Sequence, residues 1–185
     1  MLTMSGKING IDVEGLRDMI GAVAEDGAKA GARFTATSRW RGGTRSETAV
    51  DAWEFGGKTL RRGFNIVIDE PRELLGNAEA PNPQEMLMAA VNACMMVGFV
   101  AQCAVRGIRL ESLEFETTGR LDLRGFLGVS PDVPPGYERV ESTIRVRGDA
   151  TPEQFAEILA AVRETSPNYY NLTRPIRFEP RLEVR

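Results

Sequence analysis

Histidine is absent from this chain of 185 residues. Without an imidazole there is no Ser-His-Asp or Cys-His nucleophilic site, no histidine general base and no zinc site of the usual catalytic kind. Cysteine is scarce as well, because only Cys94 and Cys103 occur. Two thiols are too few for a disulfide scaffold or a four-thiolate metal centre, and they are typical of a reducing compartment. We therefore expect no metal, no cofactor and a cytoplasmic location.

An excess of positive charge is also missing. The chain has 23 Lys and Arg against 26 Asp and Glu, a net charge of -3, which argues against a nucleic acid partner. The pair Gly42-Gly43 lacks the lysine of a phosphate-binding loop and is typical of a turn. Residues 1–7 are not followed by an apolar run of the length of a secretory signal, so we expect no export.

The composition, 42% hydrophobic and 26% charged, is that of one soluble domain with a sizeable core. Hydrophobic periodicity, Gly and Pro positions and capping residues together predict an α+β order of elements. The predicted elements are a helix over residues 12–30 capped by Asp12, a hairpin turning at Gly42-Gly43, a strand over 64–68, a helix from Pro83 to about 107, strands over 113–123 and 137–146, a helix from Thr151, and a last strand over 176–184.

The predicted helix from Pro83 contains 20 consecutive residues without a charge, 86–105. That length would span a membrane, but Asn92, Gly98 and Gln102 weaken the apolar run, so we expect no membrane contact. A helix that is apolar on all sides is otherwise buried on all sides, within a sheet or against a partner subunit. The four methionines of this helix are typical of core filling.

The two cysteines lie nine residues apart on this helix. An ideal helix places them about 13.5 Å apart along its axis and on opposite faces, so they cannot form a disulfide with each other. Cys94 is too deep in the helix to gain much from the helix dipole, and in the absence of histidine a neighbouring arginine would have to stabilise its thiolate. Composition alone favours two inert, buried thiols.

The segment Pro83–Cys94, PQEMLMAAVNAC, resembles the helix opening of the OsmC/Ohr family of thiol-dependent peroxide reductases. Further segments are similar to later and earlier parts of that family's pattern. They are residues 40–45, 119–128, 135–137 and 165–168. The resemblance covers residues 33–185 and thereby predicts an OsmC-like domain over 33–185, preceded by an N-terminal helical extension over 1–32.

The resemblance implies a two-layer α+β fold, with antiparallel sheets wrapped around a long central helix, in an intertwined homodimer with two sites at the subunit interface. It also implies a peroxidatic cysteine that attacks an organic hydroperoxide, an Arg and a Glu that polarise thiolate and peroxide, and a second, resolving cysteine. Cys94 matches the peroxidatic position. Ser166 matches the resolving position, so the internal disulfide cannot form and an external thiol reductant is required.

The charged positions of the family match less directly. Gln84 stands where the Ohr branch has its Glu, and Glu85 matches the Pro-x-Glu pattern of many OsmC-like relatives. A carboxylate in the first turn would also stabilise the helix through its dipole, so both roles stay open for Glu85. Arg45 is favoured among the arginines of the first hairpin, although a solvated surface charge is an equal alternative.

Three functions follow for testing. The first is a hydroperoxide reductase with a single peroxidatic cysteine, Cys94, assisted by Arg45 and Glu85 and recycled by an external thiol. The second is a non-catalytic OsmC-like homodimer that binds a small apolar molecule in the interface pocket. The third is a structural module with an inactive site, since a fold does not fix a function.

Overall fold

The computed structural model describes residues 6–184, which form two compact units that divide after Ala89. The first unit begins with the short hairpin β1 (Lys7–Ile8) and β2 (Ile11–Asp12), followed by helix α1 (Val13–Glu25). Asp12 caps α1 as predicted, because its carboxylate accepts a hydrogen bond from the Gly15 amide. The predicted extension of the helix to residue 30 is wrong. Asp26 is extended and caps a separate 3₁₀ turn, Gly27–Ala30.

A four-stranded antiparallel sheet completes this unit, with β3 (Ala32–Phe34), β4 (Thr37–Trp40), β5 (Ser46–Phe55) and β6 (Lys58–Ile68). Strand β5 is central, because β3 and β4 pair with its two ends and β6 pairs along its length. The predicted turn at Gly42-Gly43 is confirmed. Strand β6 begins at Lys58 rather than residue 64, after a second glycine turn at Gly56-Gly57.

One face of this sheet carries an aromatic cluster. Phe34 stacks on Trp53 with ring centroids 5.5 Å apart, Trp53 stacks on Phe55 at 5.4 Å, and the Arg62 guanidinium lies 5.2 Å from the Trp53 ring. Phe34 is nevertheless 71% exposed. Among described residues 6–89, only Val13, Thr48 and Asp69 are buried. The sheet therefore has almost no apolar core of its own within this chain.

The second unit contains the apolar core. Its elements are most of α2 (Pro83–Val105), strand β7 (Leu110–Gly119), the single turn α3 (Leu123–Phe126), strand β8 (Val140–Gly148), α4 (Pro152–Thr165) and α5 (Pro167–Thr173). Strands β7 and β8 pair antiparallel. The buried core consists of Val91, Met95, Phe99, Cys103, Ile108, Phe115, Ile158 and Val162. The four-residue spacing of the α2 members places them on one stripe of that helix.

Helix α2 has the predicted extent, and local chemistry fixes its end. Gly107 adopts φ +78°, its amide donates to the Ala104 carbonyl, and the Ile108 amide donates to the Cys103 carbonyl. This pattern is a Schellman motif, which favours glycine at the left-handed position. Burial on all sides is not observed within the chain, because Val97 is 68% exposed. By length and composition α2 could cross a membrane, a test that the core helix of a soluble protein also passes.

The C-terminal part of the chain departs from the prediction. Helix α4 begins as expected, since Thr151 and Gln154 form a reciprocal capping box. The predicted last strand over 176–184 is wrong: these residues have no regular structure, and Phe178 is 84% exposed. Apolar and polar residues do alternate over 176–184, but a strand also needs a neighbouring strand for its backbone hydrogen bonds, and no strand pairs with this segment among the described residues. The strand predicted over 113–123 corresponds to β7, which ends before Asp122 caps the turn α3. The strand predicted over 137–146 corresponds to β8, which begins and ends a few residues later.

Candidate active site

Cys94 lies on α2 against the junction of α4 and α5. Its Sγ is 3.3 Å from the Ser166 Oγ, a hydrogen-bond contact between a half-buried thiol and a buried hydroxyl. Ser166 ends α4 by donating its amide to the Val162 carbonyl, at 2.8 Å, and begins α5 by accepting from the Tyr169 amide, at 3.4 Å. The two helix ends thus fix the hydroxyl that faces the thiol.

Close packing of the helices holds this contact in place. A Cβ atom added to Gly98 would lie 3.5 and 3.6 Å from the two methyl groups of Val162, so α2 and α4 approach closely here. The Asn168 side chain donates to the Ala90 carbonyl at 2.9 Å and ties the start of α5 to α2. Both contacts limit how far Ser166 can move from Cys94.

Cys94 and Ser166 open onto a cavity of about 420 Å³. Its lining consists of Ala93, Cys94, Val97, Gly98, Thr165, Ser166 and Pro167. None of these side chains carries a carboxylate, ammonium or guanidinium group. The cavity therefore offers one nucleophile, two hydroxyl groups and an apolar wall, which suits a small molecule with an apolar body and a reactive polar end.

Asn92, which the sequence analysis treated only as a break in the apolar run, links α2 to strand β7. Its amide nitrogen donates to the Phe115 carbonyl at 3.3 Å, and its Oδ1 accepts from the Thr117 hydroxyl at 2.5 Å. A polar residue on an apolar helix is the sequence signal for such a contact, because a buried amide needs partners. Asn92 thus fixes the rotation of the helix segment that carries Cys94.

Cys103 is on the opposite face of α2 and is fully buried, as a structural thiol would be. Burial raises the pKa of the Cys103 thiol, with a smaller opposing effect from Arg106. Both cysteines are free. The second thiol is therefore part of the apolar core.

Glu85 and Asn82 cap the start of α2. The Asn82 amide donates to the Glu85 carboxylate at 2.8 Å, and the Glu85 amide donates to the Asn82 side chain at 2.8 Å. This reciprocal pair is a capping box with Asn at the cap. The carboxylate of Glu85 thus stabilises the start of α2, which is one of the two roles that the sequence left open for this residue.

Arg45 follows the Gly42-Gly43 turn and is paired with two carboxylates. Its guanidinium lies 2.5 Å from the Glu79 carboxylate and 3.3 Å from that of Glu47. Glu47 also accepts from Arg41 at 2.9 Å, and this hydrogen bond is the main reason why its pKa is lowered. Arg45 is thus an ordered cation held by acidic neighbours.

A buried carboxylate that the sequence analysis missed organises the neighbouring loop. Asp69 accepts hydrogen bonds from the Thr44 hydroxyl at 2.6 Å, the Asn77 amide at 3.0 Å and the Glu79 amide at 3.4 Å. The Thr44 hydrogen bond is the main cause of the lowered pKa of Asp69, with burial acting against it. Asp69 positions Glu79, and through it the ion pair of Arg45.

The chain matches the family model described as OsmC-like protein over residues 76–181, more than half of its length. It is also similar in fold to an OsmC-like protein from Mycoplasma pneumoniae, with a TM-score of 0.58 and 14% identity over 76% of this chain and 87% of that one. An OsmC-like protein of unknown function from Vibrio cholerae gives a TM-score of 0.53 and 17% identity over 74% and 91%. No curated protein matches the chain.

The structural matches define the fold as an α+β fold with antiparallel sheets. The chain belongs to the OsmC-like protein family. The predicted family resemblance and the α+β fold with antiparallel sheets are therefore confirmed, whereas the intertwined homodimer stays a prediction.

Proposed function

We propose that this protein reduces organic hydroperoxides with Cys94 as its single nucleophile and an external thiol as its reductant. The observation that carries the proposal is the Cys94 Sγ held 3.3 Å from the Ser166 hydroxyl at the wall of an apolar cavity. Family membership supports it at the level of thiol-based redox chemistry. The apolar wall favours an alkyl or aryl hydroperoxide over hydrogen peroxide.

The reaction begins with attack of the Cys94 thiolate on the terminal oxygen of the hydroperoxide. The O–O bond breaks, a Cys94 sulfenic acid forms, and the alkoxide takes a proton and leaves as an alcohol. A first external thiol then attacks the sulfenic sulfur, which gives a mixed disulfide and water. A second thiol releases the reduced Cys94 and a small-molecule disulfide. The Ser166 hydroxyl stabilises the thiolate by hydrogen bonding but cannot form a disulfide.

Charged groups complete the proposed site. The resemblance assigns Arg45 and Glu85 to the polarisation of the thiolate and the peroxide. The ordered ion pairs of Arg45 support a fixed cation at this position. We assign the homodimer in the same way, since the exposed aromatic face of the β3–β6 sheet would be covered by a second copy.

The test is hydroperoxide consumption by reduced protein with cumene hydroperoxide and dithiothreitol, followed by a colorimetric peroxide assay. The Cys94→Ser variant should lose more than about a thousandfold in kcat/KM, because it removes the nucleophile. Cys103→Ala is the matched control and should retain the activity. Equal peroxide loss with Cys94→Ser, or no turnover by the wild type, would overturn the proposal.

A second candidate is a non-catalytic homodimer that holds a small apolar molecule beside Cys94. The lining of the cavity favours it, since Ala93, Val97 and Gly98 offer no further catalytic group. A thermal-shift screen with apolar ligands distinguishes the two. Stabilisation of the wild type and of Cys94→Ser to the same extent, with no peroxide consumption, would favour binding over catalysis.

A further inference from the structure

A second cavity, of about 820 Å³, lies along the outer surface of α4 and α5 in the same unit as Cys94. Its lining consists of Ala160, Arg163, Glu164, Tyr169, Tyr170, Thr173 and Arg174. We call this surface the arginine cleft. It provides two guanidinium groups, two phenols and a hydroxyl within one concavity, a composition quite unlike that of the cavity at Cys94.

Both arginines of the cleft are held by aromatic rings. The Arg163 guanidinium lies 5.5 Å from the Tyr169 ring centre, and its Nε donates to the Tyr169 hydroxyl at 3.1 Å. The Arg174 guanidinium lies 5.2 Å from the Tyr170 ring centre. Stacking of this kind orders a guanidinium while leaving most of its N–H donors available.

Neither cation has a carboxylate partner. Within residues 6–184, ion pairs join eight other arginines to Asp or Glu, and neither Arg163 nor Arg174 is among them. Glu164 lines the same cleft without forming such a pair. Two ordered guanidiniums in a concave surface, free of acidic partners, form a site for anions, and their planar forks suit carboxylates in particular.

The cleft adjoins the place where a reducing thiol must act. Ser166 lies between its two halves in the chain, because Arg163 precedes it by three residues and Tyr169 follows it by three. The Tyr169 amide donates to the Ser166 Oγ, which in turn contacts the Cys94 Sγ. From Ser166 to Arg174 the axis of α5 rises about 12 Å. An extended tripeptide spans about 10 Å, which is a comparable length.

We propose that the arginine cleft binds the carboxylates of the thiol that reduces oxidised Cys94, so that the reductant is a small peptide-like thiol carrying carboxylate groups. This inference rests on the proposed function. Position 166 has a hydroxyl where a resolving thiol would stand, so an external thiol must supply the second sulfur. Its sulfur attacks the Cys94 sulfenic acid, an S–S bond forms, and the hydroxyl leaves with the thiol proton as water. A second molecule of the same thiol frees Cys94.

The kinetic test compares glutathione, a tripeptide thiol with two carboxylates, with dithiothreitol, which has none. In the double variant Arg163→Gln and Arg174→Gln, the ratio of kcat/KM for glutathione to that for dithiothreitol should fall about tenfold or more, mainly through the KM for glutathione. Arg177→Gln removes an arginine outside the cleft and should leave the ratio unchanged. If the double variant folds poorly, Arg174→Gln alone should lower the same ratio.

A binding measurement separates the failure of this inference from failure of the proposed function. S-methylglutathione cannot reduce Cys94, so calorimetry with this probe reports the cleft alone. Binding to the wild type that is lost in the double variant supports the cleft even if no peroxide is consumed. An unchanged kinetic ratio, or no binding by a wild type that turns over peroxide with dithiothreitol, would overturn the inference and leave the proposed function intact.

Discussion

At the scale of single residues, the two cysteines of α2 differ in what surrounds them. Cys94 is half-buried beside a hydroxyl, whereas Cys103 is fully buried and burial raises its pKa. Iodoacetamide at pH 7.5 (roughly one unit below an ordinary thiol pKa) should therefore modify Cys94 and spare Cys103 until the protein unfolds. Peptide mass spectrometry locates the label. Equal labelling of both cysteines in the native protein would contradict this assignment.

The contact between Cys94 and Ser166 also predicts a gain of chemistry. With Sγ and Oγ 3.3 Å apart, the Ser166→Cys variant places a second sulfur within reach of the first. One equivalent of cumene hydroperoxide should then give an internal disulfide, seen as the loss of two hydrogen atoms in the intact mass. Cys94→Ser combined with Ser166→Cys is the control. Persistence of two free thiols after oxidation would argue against the geometry.

Asp69 allows a prediction about stability and pH. Its carboxylate has three hydrogen-bond donors and a lowered pKa, so it stabilises the fold fully above the ordinary Asp pKa of about 4. That stabilisation is lost as the pH falls through the lowered value. Asp69→Asn should lower Tm by several degrees at neutral pH, and the difference from wild type should shrink in acid. The exposed Asp132→Asn is the control, and an equal effect there would remove the case for Asp69.

At the scale of elements, the starts of the three longest helices were predictable because their signals are local, whereas the short helices α3 and α5 were not predicted. Asp12 and Thr151 cap the helices that follow them, and the extent of α2 follows from an uncharged run with Pro83 at its start and Gly107 beyond its end. The first half of β6 was not predictable, because Lys58, Arg61 and Arg62 interrupt the alternation of apolar and polar residues that is typical of a strand. Residues 176–184 have the alternation of a strand and no strand to pair with among the described residues.

The candidate site was predictable only in part, because its residues are far apart in the sequence. Cys94 and Ser166 are 72 residues apart, and no spacing rule brings such positions together. The resemblance suggested both residues, whereas their contact depends on tertiary packing of α2 against α4 and α5. The arginine cleft gave no sequence signal at all, because its arginines and tyrosines look like an ordinary polar helix surface.

Helix α2 allows a prediction that compares two glycines. Gly107 adopts φ +78°, so Gly107→Ala forces a left-handed alanine and should lower the free energy of unfolding by about 1–2 kcal/mol. Gly21 lies inside α1 with open space for a Cβ atom, so Gly21→Ala should raise it by about 0.5–1 kcal/mol. Urea denaturation measures both. Stabilisation by Gly107→Ala would refute the end of α2 described above.

At the scale of the whole molecule, apolar surface is distributed unevenly. The buried core lies in residues 91–162, whereas the β3–β6 sheet exposes aromatic side chains on one face. An exposed apolar face of this kind marks an interaction surface. The family resemblance implies a second copy of the chain as the partner. A second copy packed on this face would bury the aromatic side chains that are exposed in the single chain.

We therefore predict that the protein sediments as a dimer of its 20.3 kDa chain at micromolar concentration. Phe34 lies in the aromatic cluster, and burying such a side chain contributes about 1.5–3 kcal/mol. Phe34→Ser removes one such side chain from each protomer and should thus raise the dimer dissociation constant about a hundredfold or more. Arg33→Ser changes the adjacent residue on the opposite face and is the matched control. A monomeric wild type, or equal weakening by both variants, would show that this face is not the dimer interface.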